Sequence, residues 1–351
     1  MKVADVGEFG LIELVSGTIR GFKPSDLSPH SGLPSAFYHA PSPALVDIGD
    51  DTTVWRSQTS VQLATTDTLV EDVHFSLAFA TWRELGWKSL AVNISDIAAM
   101  GGLPRYALVT LGLPGDLEAG HIIDLYKGML DIAWRFGIAV VGGDMVRSRE
   151  IFITVALVGE APPRAGSRTD YLLRSGAKEG DRIVVTGHLG SSAAGLKMLS
   201  QGLPIESEAA AYLREAHLRP VPRVREGELI RGEGGLSAMD ISDGLVADLT
   251  KVCQASGVGG TVFVDTLPIH PFVRAHFPEE ATTLALSGGE DYELLFTAPA
   301  DLVARVQRAI DTPVTVIGQV TAERAGVVRL LDGCGQEIQP RQQGWDHFRR
   351  E

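Results

Sequence analysis

The chain is poor in the residues on which several common chemistries depend. It has two cysteines in 351 residues, Cys253 and Cys334, far apart and without a companion motif. They make no disulfide framework and no zinc site, and they fit a reducing compartment. No Gly-Lys dipeptide occurs, which excludes the G-x-x-x-x-G-K-[ST] phosphate loop. G-x-G-x-x-G is also absent, so neither a dinucleotide fingerprint nor a kinase-type glycine loop is supported, and H-E-x-x-H, C-x-x-C and G-x-S-x-G are missing. Positive charge is in deficit: 31 Lys and Arg against 44 Asp and Glu give a formal balance of −13. That argues against a nucleic-acid partner, which needs a basic face. No apolar run reaches membrane-spanning length, and MKVADVGEFGLIELV lacks the basic-then-apolar pattern of a signal peptide. The expectation is a cytoplasmic protein with no membrane partner.

What the chain does have is aspartate, set in short segments punctuated by Gly, Ser and Thr. Asp51 lies in DIGDDTTV, Asp67 in ATTDTLVEDVHF, Asp96 in NISDIAAMGG, Asp144 in VVGGDMVRS, and Asp240 and Asp243 in AMDISDGLVADL. Each sits near the end of an apolar run or in a helix beside one, so these carboxylates can converge on one cleft. Two unit charges about 4 Å apart repel by roughly 4 kcal/mol at an effective dielectric near 20, so a packed set needs cations. Oxygen-only ligands select hard ions, and Mg²⁺ uses a few carboxylates together with water and substrate phosphates. Taken singly, each aspartate is explained by a helix cap or a turn. As a set they point to a Mg-nucleotide site. Asp96 fits a purely structural role least, because an unpaired buried carboxylate is expensive.

A length of 351 residues suits two domains. Helical spacing of Phe9, Ile12 and Val15 predicts a helix over 7–20. Residues 21–43 carry Pro24, Pro29, Pro34, Pro41 and Pro43 and read as a loop. Strands are predicted at 44–48 and 61–66, a heavily buried helix at 82–100, then a strand at 106–113, a helix at 118–136, and strands at 138–142 and 151–159. The Pro- and Gly-bearing stretch 160–180 marks the domain boundary, giving 1–160 and 161–351. The second half opens with the strand RIVVTG and the helix SSAAGLKML, followed by helices near 206–217 and 222–231. SAMDIS is a strand entering the helix DGLVADLTKVCQAS, and TVFVDTLPI, DYELLFTAP, PVTVIGQV and GVVRLL are strands. Crossovers mixed with consecutive strands make the class α+β or mixed α/β.

Two glycine-rich elements remain. In GGDMVRS, Gly142 and Gly143 let backbone approach a ligand while Asp144 can reach a metal, against the plainer reading of a strand-end turn. In SGGEDYELLF, Glu290 and Asp291 follow two glycines and either can orient a substrate, against an ordinary hairpin. His74 in VEDVHF can hydrogen-bond a phosphate or ring, or serve as a structural donor.

These segments resemble one family nearly end to end. GEFGLI, IGDD, TTDTLVEDVHF, KSLAVNISDIAAMGGLP, GGDMVRS, LLRSGAKEGD, GSSAAGL, DISDGLVADL, SGGEDYELLF, IGQV and GWDHF resemble thiamine-monophosphate kinases. That family belongs to a superfamily with aminoimidazole ribonucleotide synthetase, selenophosphate synthetase and a hydrogenase-maturation protein. The resemblance implies the aminoimidazole ribonucleotide synthetase-like fold: an N-terminal Mg/ATP-binding sheet domain that forms a homodimer, and a C-terminal α/β domain that completes the nucleotide and substrate site. It implies ATP as co-substrate, several Mg²⁺ ions, and thiamine monophosphate accepting the γ-phosphoryl. By the family's motifs, Asp51, Thr65, Thr66, Asp67, Asp96, Asp240 and Asp243 are expected to hold Mg²⁺. Gly143, Asp144, Arg174 and Ser242 are expected to face ATP, with Asp144 also reaching a metal. His74, Glu290 and Trp345 are expected to contact thiamine phosphate. No covalent nucleophile or general base is assigned. The chain departs from the family in its longer 21–43 loop and in Asp72, where a glycine is common. The rival readings are another ATP-dependent enzyme of the superfamily, or a nucleotide-binding homologue without turnover. Cys253 and Cys334 are not where the selenophosphate and hydrogenase-maturation members carry theirs.

Overall fold

In this computed structural model the described residues are 1–22, 61–163, 170–339 and 344. The predicted strand at 44–48, nearly all of the Pro-rich loop, Asp51 and Trp345 lie outside them. The chain divides into two compact units, Met1–Ile97 with Leu103–Pro162, and Ala98–Gly102 with Pro163–Glu351.

The first unit contains α1 (Val3–Gly21), β1 (Val61–Val70), α2 (Trp82–Ala99), β2 (Leu103–Leu113), α3 (Ala119–Phe136), β3 (Ala139–Arg147) and β4 (Phe152–Ala161). Its sheet has the order β1-β4-β2-β3. Strand β4 runs antiparallel to both β1 and β2, whereas β2 and β3 are parallel. Every second residue of β4, from Ile153 to Ala161, is buried, the period-2 alternation of a sheet with one covered face. Helix α2 lies over that face, with Ile97 against Gly159. Its residues from Leu85 to Ala99 are buried except Asp96.

Strand β3 is longer than predicted. The spacing suggests a strand ending in a Gly-Gly turn, yet β3 runs through Gly142 and Gly143 to Arg147, after a bulge that leaves Val141 unmatched opposite Ala107 and Leu108. The parallel ladder to β2 is what keeps these glycines extended.

The second unit holds β5 (Arg182–Thr186), α4 (Ser191–Gln201), α5 (Ser207–Leu218), α6 (Val224–Glu233), β6 (Ser237–Asp240), α7 (Leu245–Ser256), β7 (Gly259–Phe263), α8 (Pro271–His276), α9 (Ala281–Ser287), β8 (Leu294–Ala298), α10 (Ala300–Ala309), β9 (Val314–Thr321), β10 (Val328–Leu331) and β11 (Glu337–Ile338). Its mixed sheet has the order β11-β10-β7-β9-β5-β8-β6, with β7 and β10 the parallel pair. Both faces are covered. Ile183 and Val185 of β5 join one core with residues of α4, α5, α7, α8 and α9, while Val184 joins another with residues of α6 and α10. A strand buried on both faces reads as an unbroken apolar run, which is the character of RIVVT.

Helices α8, α9 and α10 fall where no element was predicted. The first two are too short to show a helical period. Helix α10 does carry one, in buried Leu302, Val303 and Val306 after Pro299.

Candidate functional site

In the first unit, β1 and α2 meet through the predicted residues. Thr65 donates its hydroxyl to the Asp96 carboxylate, and the Asp67 backbone N–H donates to the Asn93 side-chain oxygen at 3.0 Å. Asn93 is held in turn by its amide donating to the Ser89 carbonyl at 3.1 Å. Asp96 is half-buried on an otherwise buried helix, and its hydroxyl partner explains how a carboxylate is accommodated there. Odd-numbered β1 residues face α2, so the Thr66 side chain points to the opposite face of the sheet from Thr65 and Asp67.

Asp144 shares the face of Thr66. The register aligns Asp144 with Thr110, Thr110 with Thr154, and Thr154 with Thr68, and the hydroxyls of Thr68 and Thr154 hydrogen-bond at 2.8 Å. Among the described residues strands β1 and β3 are the outer two of the sheet, so Asp144 stands about 14 Å from β1 by the usual strand spacing. Within this sheet, Thr65, Asp67 and Asp96 come together, and Asp144 does not join them. Asp144 is exposed and accepts the Met145 N–H at 2.8 Å. A Cβ on Gly143 would overlap the Val109 carbonyl of β2, so only glycine permits this approach of the two strands.

His74 is half-buried in the turn after β1, where its Nδ1 accepts the Val70 N–H at 3.1 Å. The neutral ring then carries its proton on Nε2 as a donor. Asp72 is exposed with φ 61°, a left-handed conformation that glycine adopts without penalty and aspartate tolerates. The departure from the family's glycine therefore keeps the turn.

In the second unit, three stretches of chain crowd together at the ends of β5, β6 and β8. Asp240 is buried at the end of β6, paired with Leu294 of β8. In the following turn the N–H groups of Ser242, Asp243 and Gly244 all donate to one carboxylate oxygen of Asp248, at 3.0, 3.0 and 3.2 Å. The other oxygen accepts from Lys251 at 2.8 Å, and Lys251 also reaches Asp243 at 2.5 Å. Burial raises the Asp248 carboxyl, with Lys251 opposing. Desolvation lowers the Lys251 ammonium, but Asp243 and Asp248 outweigh it and the net direction is up. Asp243 itself keeps 32% exposure.

The second turn, 288–293, is an irregular connection into β8 and not a hairpin. Glu290 donates its backbone N–H to the Ser242 carbonyl at 2.8 Å, and Tyr292 donates to Ile241 at 2.9 Å. Glu290 and Tyr292 have φ 65° and 49°. The Asp291 carboxylate turns away to the start of α4, accepting from Gly190 N–H at 2.7 Å and Ser192 N–H at 3.2 Å. Desolvation pushes this carboxyl up to about 7, against the lowering pull of those N–H groups. The Glu290 side chain is 25% exposed, 3.4 Å from Nδ1 of buried His217, which also lies 3.1 Å from the Ser192 hydroxyl. Arg174 is exposed, with its backbone carbonyl held by Ser237 and Ser256.

Asp248, Lys251, His217 and the capping role of Asp291 were not anticipated. Asp248 had a signal, being a carboxylate inside the helical stripe of Leu245, Leu249 and Val252. The others depend on chain segments far apart in sequence. Among the described residues no three His, Cys, Asp or Glu side chains group as a cage for a metal ion. The donors present are nevertheless hard oxygens in small sets, Thr65 with Asp96 and Asp240 near Asp243. That chemistry fits Mg²⁺, which keeps water and phosphate in its shell, and does not fit a softer ion.

The chain matches the AIR synthase related protein N-terminal domain over residues 49–161 and the AIR synthase related protein C-terminal domain over 178–330. It is 35% identical to thiamine-monophosphate kinase of Bacillus subtilis, over 91% of this chain and 98% of that protein. It is 35% identical to thiamine-monophosphate kinase of Aquifex aeolicus, over 99% and 100%. Among solved structures, AaThiL complexed with AMPPCP and TMP superposes with a TM-score of 0.72 at 33% identity, covering 99% of both chains. The hydrogenase maturation protein HypE in complex with ATP gives a TM-score of 0.65 at 19% identity, a likeness of fold alone.

Proposed function

Because the chain belongs to the thiamine-monophosphate kinase family, we infer that it transfers the γ-phosphoryl of ATP directly to thiamine monophosphate, giving thiamine diphosphate and ADP. The observation that carries this reading is the end-to-end likeness to AaThiL, a protein solved with AMPPCP and TMP. Such transfer rests on positioning and charge neutralisation more than on covalent help from the protein. The acceptor phosphate has a second pKa near 6, so it is mostly ionised at neutral pH and no general base is required.

The residues are assigned roles on that basis. Thr65, Asp67 and Asp96 in the first unit and Asp240 and Asp243 in the second would hold Mg²⁺, with Asp51 of the IGDD segment; Thr66, whose side chain is on the other face of the sheet, would do so through its backbone carbonyl. When bound, Mg²⁺ would offset the charge of the phosphate oxygens. Gly143, Asp144, Arg174 and Ser242 would face ATP, with Asp144 also reaching a metal. The exposed Asp144 of β3 and the Ser242 turn pinned by Asp248 support this. His74 would donate from Nε2, and Glu290 and Trp345 would contact thiamine phosphate. Residues 1–160 would form the Mg/ATP-binding and dimerisation domain and 161–351 the domain that completes the site. A homodimer through the first sheet is supported by β1, the outer strand among the described residues, whose even-numbered residues from Gln62 to Thr68 are exposed. Among the described residues no helix is long and apolar enough to cross a membrane.

The test is chromatographic detection of thiamine diphosphate as fluorescent thiochrome product, with ATP, Mg²⁺ and thiamine monophosphate, and free thiamine as a parallel acceptor. Product from the monophosphate alone supports the kinase. Absence of product from protein that binds Mg-ATP refutes it and directs the search to other acceptors. Asp67→Asn and Asp240→Asn are expected to remain folded and lose turnover; wild-type rates in either would sink the metal assignment.

A further inference from the structure

Glu290 and Asp291 are neighbours with opposite fates. Glu290 keeps a partly exposed carboxylate 3.4 Å from His217. Asp291 spends both its oxygens on the first turn of α4, at Gly190 and Ser192. Helix α4 receives no cap from the side chain of its own N-cap residue, because that residue is Gly190, at φ 79°. Asp291 supplies the missing acceptors from the turn before β8, the strand next to β5.

This contact fixes more than the helix. A residue in the left-handed region is unfavourable unless the surroundings over-determine it, and here two such residues, Glu290 and Tyr292, flank Asp291. Their N–H groups are tied to Ser242 and Ile241 on one side, and the side chain between them is tied to α4 on the other. A Cβ on Gly289 would come 2.6 Å from the Ser242 carbonyl oxygen, so the turn has no slack toward β6. The same α4 residue that Asp291 caps, Ser192, lies with its hydroxyl against the ring of His217, and His217 lies against Glu290. The Glu290 carboxylate is therefore placed twice by one anchor, through its own backbone and through the Ser192–His217 contact.

We propose that Asp291 is a positioning residue for the acceptor: its cap on α4 sets the place of the Glu290 carboxylate, and loss of the cap is felt as loss of thiamine-monophosphate recognition. This rests on the reading that Glu290 touches the acceptor.

The experiment is a double-mutant cycle on the full chain with Glu290→Gln, Asp291→Ala and the double variant, reading KM for thiamine monophosphate, KM for ATP and kcat separately. Asp291→Ala is expected to raise KM for thiamine monophosphate by about 10-fold, with KM for ATP within about 2-fold of wild type, since small displacements of positioning groups have effects of that size or more. In the Glu290→Gln background the same change is expected to add less than about 2-fold, because residues acting as a unit are non-additive. Loss of a helix cap lowers the melting temperature under either role; a merely structural role would leave the two KM values moving together and multiply the two single effects. If Glu290→Gln raises KM and the cycle is multiplicative, the inference falls while the role of Glu290 stands. If Glu290→Gln leaves KM for thiamine monophosphate unchanged, the role of Glu290 falls and this inference with it. Should Asp291→Ala not fold, Asp291→Asn, which keeps one acceptor oxygen and nearly the same volume, carries the same cycle with a smaller expected rise.

Discussion

Gly142-Gly143-Asp144 and Gly288-Gly289-Glu290-Asp291 are nearly the same words in the sequence and different objects in the fold. The first is straight β3, held extended by its parallel ladder to β2, with Gly143 against the Val109 carbonyl. The second is a turn with two left-handed residues, pressed on the Ser242 carbonyl and anchored to α4. Both need glycine for the same reason, a backbone too close for a Cβ, and both deliver a carboxylate just beyond. The delivery differs. Asp144 projects from a paired strand into solvent, whereas Glu290 stands on a strained loop that other segments must hold.

The largest expected effect is on Asp144→Asn, which should lower kcat/KM for ATP by ~10²-fold or more, as loss of a carboxylate that would hold phosphate-bound Mg²⁺ does. Steady-state kinetics with ATP varied reads it, and an unchanged value would remove Asp144 from the nucleotide site. Next, Gly143→Ala should destabilise by about 2–3 kcal/mol, the upper range for forced overpacking, and Gly289→Ala by less. Melting temperatures of the two variants check the order, and the reverse order would break the assignment of Gly143 to a paired strand.

A pH effect comes third. Asp291 moves from its ordinary 3.8 to about 7 in the folded chain. The folded state then binds the proton more tightly than the unfolded state, so stability declines as pH rises between those values and the penalty is complete above the upper one. The melting temperature of wild type should fall relative to Asp291→Asn from about pH 5 to about pH 8; parallel curves would show that the carboxyl is not desolvated. The smallest effect is on Glu290→Gly. Relief of the left-handed strain should stabilise by up to ~1 kcal/mol, partly offset by the freer unfolded chain, while KM for thiamine monophosphate rises. A melting temperature below wild type would mean that Glu290 contributes more to the fold than its backbone costs.

Much of the fold was legible in periodicity. Helices α2 and α3 and strands β2 and β4 stand within a few residues of where spacing places them, because apolar residues repeating at 3.6 or 2 have one face to bury. Short helices α8 and α9 were not legible, since under two turns leave no period. The end of strand β3 was not legible, because Gly-Gly usually marks a turn and no local signal announces that a neighbouring strand will hold it straight. The candidate site was legible as residue types: Asp67, Asp96, Asp240 and Asp243 were all visible as carboxylates in small-residue contexts. Their partners were not. Asp96 with Thr65, Asp248 with the 242–244 turn, and Asp291 with α4 each join segments that the chain order keeps apart or that only a folded turn aligns.

The sequence by itself determined the class, the order of most elements, the family, and the list of oxygen-bearing residues, because those follow from local pattern and composition. Only the tertiary structure decided which face and which edge each residue occupies. It set Thr66 and Asp144 on the other face of the sheet from Thr65 and Asp67, and it turned Asp291 inward while leaving Glu290 outward. Those choices follow from strand register and from buried N–H groups that must find an acceptor, and both are set by contacts between segments distant in the chain.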